Sequence, residues 1–161
     1  MRETAPLSES HTVMSEILMP NDANNLGRAL GGSVLHWMDI CAAISSRRFS
    51  RRQVVTASMD HVDFLGPIDL GDIVTVEGYV FETGRTSMDV LVNVGAERPC
   101  ENEKQDTATS FFTMVALDGD EQPASVPDVC CPSDEQETLR DDALRRRRKR
   151  REALGSPKKS V

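Results

Sequence analysis

One segment, residues 32–47, is apolar around most of a helical circumference, and this feature constrains the fold more than any other. Apolar residues recur in and just before it at intervals of three and four, and others widen the stripe: Leu30, Val34, Leu35, Trp37, Met38, Cys41, Ala42 and Ile44. This spacing predicts an α-helix over residues 32–47. A helix with so little polar surface has to be covered by other parts of the chain, so we expect it at the centre of the fold.

Segments with the pattern of β-strands surround this helix in the sequence. One precedes it at residues 11–19, and four follow it at 54–64, 72–82, 86–97 and 107–118. Residues 82–85 predict a hairpin turn. One buried helix and a meander of four strands predict an α+β fold in which an antiparallel sheet curls around the helix. The exposed edge of such a sheet favours pairing between two copies of the chain, so we expect at least a homodimer.

The two ends of the chain differ from this central part. Residues 1–10 are polar, and we expect them to be disordered. Residues 121–133 are rich in proline, and residues 134–154 predict a charged, solvated helix within a tail that spans 129–161. The sequence therefore predicts one folded domain over residues 11–128.

Charge is divided unevenly along the chain. Residues 1–142 carry a net charge of −15 and residues 143–161 a net charge of +8. An acidic body whose single lysine is Lys104 is typical of a halophilic protein, although an ordinary acidic protein fits nearly as well. The basic run 145–151 could suggest nucleic-acid binding. Because acids precede bases along this helix, in accord with its dipole, we favour a structural role and expect no nucleic-acid partner.

Several classes of protein are disfavoured by the sequence. It contains no run of about 18 apolar residues, so we expect no membrane span. The first residues lack the apolar centre of a signal peptide, and we expect a cytoplasmic protein. The four cysteines do not have the spacing of a zinc site, so we expect neither a metal nor a cofactor.

The predicted helix carries two candidates for chemistry. Asp39 lies in its narrow polar sector, too far from the helix start to cap it, and is either a solvated side chain or a carboxylate at a cleft. Gly31 and Gly32 precede or begin the helix, where backbone N–H groups lack an intrahelical acceptor and can bind an anion or a developing oxyanion. The alternative is that the two glycines only permit a tight turn.

Five separated segments, in a fixed order, carry a more specific pattern. They are NNLGRALGG at 24–32, WMD at 37–39, VVTASMDHVDF at 54–64, GRTSMDV at 84–90 and TSFFTMVALD at 109–118. Together they resemble the hotdog-fold acyl-CoA thioesterases of the cytosolic acyl-CoA hydrolase type. The resemblance covers roughly residues 10–128. It implies a sheet wrapped around the helix, dimers with a continuous sheet, hexamers built as trimers of dimers, and active sites between subunits.

The resemblance also implies roles for individual residues. The substrate would be acyl-CoA, hydrolysed to a free fatty acid and CoA, with coenzyme A present only as part of the substrate. Asp39 would activate water or attack the thioester carbonyl directly, and a backbone N–H matching Gly32 would polarise that carbonyl. Asn24 would orient the loop or the water.

Further residues are candidates for substrate binding. Arg85, Thr86 and Ser87 match a turn that lies near the coenzyme A moiety in the resembling enzymes. Gly31 belongs to the helix start, and Ser58 could form a hydrogen bond near the site, with an ordinary strand serine as the alternative.

Arg28 departs from the family pattern, because some members carry a catalytic Asn or Asp at this position. Arginine cannot act as a base near neutral pH, so Arg28 would pair with a CoA phosphate or a substrate carboxylate, or face solvent. The chemistry would then depend on Asp39 alone.

Two alternative functions remain open from the sequence. A hydroxyacyl-thioester dehydratase would need an imidazole, which His36 or His61 would supply, although a solvated, interface or sheet-face histidine is the more ordinary interpretation. An acyl-CoA-binding sensor without turnover is conceivable because of Arg28. The acyl chain-length preference, and the choice between base and nucleophile for Asp39, do not follow from the residues.

Overall fold

The computed structural model describes residues 2–155, which form eight strands and two α-helices. The elements are β1 Thr4–Pro6, β2 Thr12–Ile17, α1 Gly31–Ser50, β3 Gln53–Met59, β4 Asp63–Phe64, β5 Ile73–Thr83, β6 Ser87–Glu97, β7 Lys104–Leu117, β8 Asp128–Cys130 and α2 Asp134–Gly155. Within this range no helix is long and apolar enough to cross a membrane.

Six strands form one antiparallel sheet that curls around α1. Its order is β2-β5-β6-β7-β3, and β4 pairs with β7 beyond the end of β3. The predicted α+β hotdog fold, with a C-terminal charged helix, is confirmed. The predicted meander is wrong in one respect, since only β5, β6 and β7 follow one another and β3 lies at the far edge beside β7. The reason is that α1 is about 30 Å long and carries the chain across the sheet before β3 begins.

Helix α1 begins one residue before the predicted start and extends three residues past the predicted end. Arg51 ends it in the left-handed conformation, with φ of 59°, and its N–H donates to Arg47 O at 2.9 Å. The helix packs tightly on β5 at Gly78, where an added Cβ would lie 2.9 Å from Cys41 Sγ. Burial raises the pKa of the Cys41 thiol to about 12. The central helix is therefore as fully covered as its composition requires.

The N-terminal residues are ordered, which corrects the prediction of disorder over residues 1–10; residue 1 lies outside the described range. Strand β1 pairs in parallel with β8, and Leu7 is completely buried on the outer face of the sheet. Ser10 Oγ donates to Leu7 O and accepts a hydrogen bond from Val80 N. A single buried leucine produces no sequence periodicity, so the polar composition gave no indication of this packing.

The sequence predicted a solvated helix over residues 134–154. Helix α2 instead covers the outer face of the sheet and is partly buried there. It forms a second apolar cluster with the sheet and the N-terminal segment: Leu7, Tyr79, Phe81, Leu91, Phe111 and Ala143. Arg147 stacks on the Phe81 ring at 4.8 Å and pairs with Asp89 at 2.6 Å. Burial raises the pKa of Asp89, and a hydrogen bond from Thr113 partly offsets this rise. Long arginine stems thus cover apolar surface that a hydropathy pattern does not reveal. Residues 156–161 of the predicted tail lie outside the described residues.

Candidate active site

Asp39 is held against the sheet by a short hydrogen bond. It is half-buried two turns into α1, and its Oδ1 accepts a 2.6 Å hydrogen bond from Thr56 Oγ1. Thr56 pairs across the sheet with Met114, whose side chain lies in the core around α1. Because directly paired residues project from the same face of a sheet, Thr56 faces α1 and reaches the carboxylate. Thr56 is not among the site residues predicted from the sequence.

Ser58 does not share this position. A β-bulge between Thr56 and Ser58 shifts the register, so that Ser58 pairs with Thr113. Thr113 Oγ1 donates to Asp89, which contacts α2 on the outer face. Ser58 therefore faces away from Asp39, contrary to the expectation that it bonds near the site. Strict alternation would place Thr56 and Ser58 on one face, and the extra residue of the bulge reverses this for Ser58.

The start of α1 is open to solvent. Gly31 and Gly32 are exposed, and as the first residues of the helix they carry N–H groups without intrahelical acceptors. Neither glycine has a positive φ. A Cβ added at Gly32 would meet nothing within 4 Å, and one at Gly31 would meet only the Phe64 ring at 3.9 Å. The alternative that these glycines are required for a tight turn is therefore not supported.

Asn24 organises the loop before the helix. Its Oδ1 accepts hydrogen bonds from Leu26 N at 2.9 Å and Arg28 N at 3.2 Å. Gly27 between them has φ of +71°, which a side chain adopts only with strain. Ser33 Oγ, in the first turn of α1, donates to Asp22 Oδ1 at 2.9 Å and ties the loop to the helix. The side chain of Asn24 therefore fixes the backbone of this loop.

Arg28 lies in the same loop, with its side chain 56% exposed. Its Nε is 3.9 Å from Asp69 Oδ1, and Asp69 is also paired with Arg98 at 3.1 Å. Asp69 therefore already has a closer cation, and Arg28 keeps an exposed guanidinium at the mouth of the loop.

A cavity of about 280 Å³ lies between this loop and the end of the sheet. Three of the predicted site residues line it: Asn24, Arg28 and Gly31. The other lining residues are Ala29, Val34, Phe64, Gly66, Pro67, Ile68, Thr107 and Ala108. Asp39 is eight residues along α1 from Gly31, which corresponds to about 12 Å. A single chain thus brings the loop and the helix start together, and holds Asp39 with Thr56 at a second position along the same helix.

The turn of Arg85, Thr86 and Ser87 lies at the opposite end of the sheet. Ser87 begins β6, whereas Val94, seven residues later in β6, pairs with Ala108 at the cavity. Seven residues of extended strand span about 23 Å. One chain therefore does not bring this predicted coenzyme A segment to the helix start.

Neither of the two histidines that could act as bases forms a hydrogen bond with the Asp39 carboxylate in the part of the chain that the structure describes. His61 Nε2 lies 3.4 Å from Asp63 Oδ1, next to the end of α2, and His36 is exposed on α1. Among residues 2–155, Asp39 has no hydrogen bond to a histidine. The described residues also contain no group of three or more His, Cys, Asp or Glu side chains that could hold a metal ion.

Known proteins are similar to this chain in sequence and fold over nearly its whole length. An uncharacterized acyl-CoA thioester hydrolase of Bacillus subtilis is 41% identical over 92% of this chain and 87% of its own length. The crystal structure of an apo-hexameric acyl-CoA thioesterase is 37% identical, with a TM-score of 0.83 over 95% of this chain and 98% of that one.

A third relative is an acyl-CoA hydrolase of Staphylococcus aureus. One of its structures, an asparagine-to-alanine variant in complex with coenzyme A, is 33% identical, with a TM-score of 0.84 over 96% of this chain and 92% of that one. Others are an aspartate-to-alanine variant, a threonine-to-alanine variant and a complex with butyryl coenzyme A. The model of the thioesterase superfamily matches residues 26–99. The chain therefore belongs to the thioesterase superfamily and, within it, to the hotdog-fold acyl-CoA thioester hydrolases.

Proposed function

We propose that this protein hydrolyses acyl-CoA to a free fatty acid and CoA, with Asp39 as the general base or nucleophile. The observation that carries the proposal is the carboxylate of Asp39, half-buried on a rigid helix and held at 2.6 Å by Thr56 Oγ1. In the Staphylococcus aureus hydrolase, the asparagine, aspartate and threonine replaced by alanine are 15 and 17 positions apart. Asn24, Asp39 and Thr56 have the same order and the same separations.

The reaction needs few groups. When Asp39 acts as base, it takes a proton from water while the water oxygen attacks the thioester carbonyl carbon. The carbonyl oxygen becomes an oxyanion, which the N–H of Gly32 and the positive end of α1 of a neighbouring copy stabilise, because Gly32 and Asp39 of one chain lie about 10 Å apart along the helix. The C–S bond then breaks, the CoA thiolate leaves and is protonated, and the fatty acid is released. When Asp39 acts as nucleophile, its oxygen displaces the thiolate and water hydrolyses the resulting anhydride. Coenzyme A enters only as part of the substrate.

Thr56 keeps the carboxylate in place for either route. Its hydroxyl occupies one oxygen of Asp39, which leaves the second oxygen for water or for the carbonyl carbon. Asn24 acts indirectly, because its Oδ1 fixes the loop that leads into Gly31 and Gly32. Arg28, exposed at the mouth of that loop, is suited to a phosphate of coenzyme A.

A second copy of the chain would complete the site. Strand β3, which carries Thr56, is an edge strand and is exposed along almost its whole length, including Val55 and Met59. Pairing two such edges would extend the sheet and cover these apolar side chains. The turn of Arg85, Thr86 and Ser87 would then reach coenzyme A from a neighbouring copy. We expect a homodimer assembled further into a trimer of dimers, and a related thioesterase is described as hexameric.

Release of free thiol from a panel of acyl-CoAs of different chain length tests this function. The protein should release CoA, and Asp39→Asn should lose at least a hundredfold in rate while its circular dichroism spectrum stays the same. The control is Asp120→Asn, which changes an exposed aspartate in a distant turn. Conversion of the acyl chain without CoA release would support a dehydratase, and binding without turnover would support a sensor. A fully active Asp39→Asn enzyme would refute the assignment.

A further inference from the structure

Strand β4 forms a thin wall between two cavities. On the α1 side lies the cavity of about 280 Å³ that contains the start of the helix, and on the α2 side lies one of about 320 Å³. Phe64 lines the first, whereas Asp63 lines the second. Successive side chains of a strand project to opposite faces, and their partners agree: Phe64 pairs with Ala108 of the α1 core, and Asp63 pairs with Thr109 of the outer face.

On the outer side, α2 holds β4 through one arginine. Arg150 donates to the backbone carbonyl of His61 and to Asp63 Oδ2, and its guanidinium lies 5.7 Å from the centre of the Phe111 ring. Its side chain is only 10% exposed. The Asp63 side chain is 43% exposed, so the pair is shielded from solvent on the arginine side only and is partly weakened by solvent on the other.

On the inner side, Phe64 lies beside the start of α1. The ring comes within 3.9 Å of the position of a Cβ on Gly31. Phe64 is nevertheless 56% exposed, so few contacts of its own hold it there. Two residue pairs join β4 to β7, and backbone bonds from Asp60 N to Phe111 O and from Leu65 N to Thr107 O flank them. These bonds hold the main chain of β4, and the pair of Asp63 with Arg150 adds a side-chain anchor behind Phe64.

From this arrangement we propose that Phe64 determines how the apolar part of the substrate next to the thioester is bound, and that Arg150 is a positioning residue that sets Phe64. The proposal rests on the proposed function of the site. Arg150 lines the cavity on the α2 side but not the cavity of about 280 Å³ at the helix start, and it acts through Asp63, the neighbour of Phe64 in β4. The basic C-terminal helix thereby contributes to substrate binding from the opposite face of the sheet.

Steady-state kinetics of CoA release by the full-length protein tests the proposal. We expect Arg150→Met to raise KM about tenfold, the equivalent of one lost hydrogen bond to a charged group, with a smaller change in kcat. Phe64→Ala should raise KM by a similar factor. In the double variant Phe64→Ala/Arg150→Met, KM should rise no further than in Phe64→Ala, because Arg150 then has no ring to position.

Three further variants make the result decisive. Arg150→Lys retains the charge and should recover most of the loss, and Asp63→Asn should reproduce the effect of Arg150→Met without any change in α2. The matched control is Arg148→Met, an exposed arginine two residues away on the same helix, which should leave KM unchanged. If Arg150→Met fails to fold, Asp63→Asn decides the matter in its place.

The outcomes separate this inference from the proposed function. A protein that releases CoA but shows wild-type KM in Arg150→Met and Asp63→Asn would overturn the positioning role alone. Strictly multiplicative KM effects of Phe64→Ala and Arg150→Met would do the same, since independent residues behave that way. A wild-type protein that releases no CoA from any acyl-CoA would overturn the proposed function and, with it, this inference.

Discussion

At Gly78 the central helix packs tightly against the sheet, and replacement of this glycine by alanine gives a quantitative prediction. A Cβ at this position would lie 2.9 Å from Cys41 Sγ, 3.3 Å from Ser45 Oγ and 3.4 Å from Leu91 O. Cys41, Ser45 and Leu91 are all fully buried. The cysteine cannot simply rotate away, so the substitution has to displace α1 from β5.

The expected cost follows from these distances. Comfortable contacts between such atoms lie near 3.5–4.0 Å, so the methyl group overlaps Sγ by about 0.6–1 Å. Overpacking of this kind destabilises by about 1–3 kcal/mol, and replacing glycine recovers about 0.4–1 kcal/mol through the unfolded chain. We therefore expect Gly78→Ala to lower the free energy of unfolding by about 0.5–2 kcal/mol, or the melting temperature by about 1–8 °C.

Urea and thermal unfolding measure this effect, and a double-mutant cycle assigns it to one contact. In Cys41→Ala/Gly78→Ala the sulfur that obstructs the new methyl is gone, so the double variant should be more stable than the sum of the single changes predicts. The control is Gly119→Ala, because a Cβ there meets nothing within 4 Å. A neutral Gly78→Ala, or a strictly additive cycle, would refute the argument that α1 is in tight contact with β5.

Three further predictions concern the active site, the buried cysteine of α1 and the packing of the N-terminal segment. Thr56→Val should lower kcat about 10–100-fold by removing the hydrogen bond to Asp39, whereas Thr56→Ser should retain most activity; equal rates for both variants would contradict a role for the hydroxyl. Burial raises the pKa of Cys41 to about 12, so iodoacetamide at pH 8 should modify exposed Cys100 and leave Cys41 unmodified by mass spectrometry. Leu7→Ala should lower the free energy of unfolding by about 2–4 kcal/mol in urea, and no loss would mean that the N-terminal segment is not packed.

The central helix and the strands could be predicted because their burial is repetitive. Helix α1 is apolar over most of its surface, and β6 alternates except at Leu91, which is buried on the outer face, so each leaves a periodic pattern in the sequence. Leu7 is equally buried, but it is a single residue in a polar segment. Local patterns also do not show that β3 lies at the edge of the sheet beside β7, because the strand order depends on where α1 ends relative to the sheet.

The sequence predicts only those site residues whose type is unusual for the secondary structure in which they lie. Gly31, Gly32 and Asp39 stand out because they are unusual at the start and centre of an apolar helix. Thr56 does not, since threonine is common in strands, and its separation from Ser58 depends on a bulge that the alternating sequence conceals. A carboxylate in mid-helix could have directed attention to the strand that packs beside it, which is the one signal that would have found Thr56.

The division of charge along the sequence has a structural explanation in the packing of α2. An acidic chain with a net charge of −15 over residues 1–142 repels itself in the compact state. Helix α2 places arginines on the acidic outer face of the sheet, where Arg147 contacts both Glu82 and Asp89 and Arg150 contacts Asp63. Because Arg147 and Arg150 are only 10% exposed, salt screens these pairs less than surface pairs. The basic run therefore compensates the body of its own chain, and at Arg150 that compensation reaches the wall of the substrate cavity.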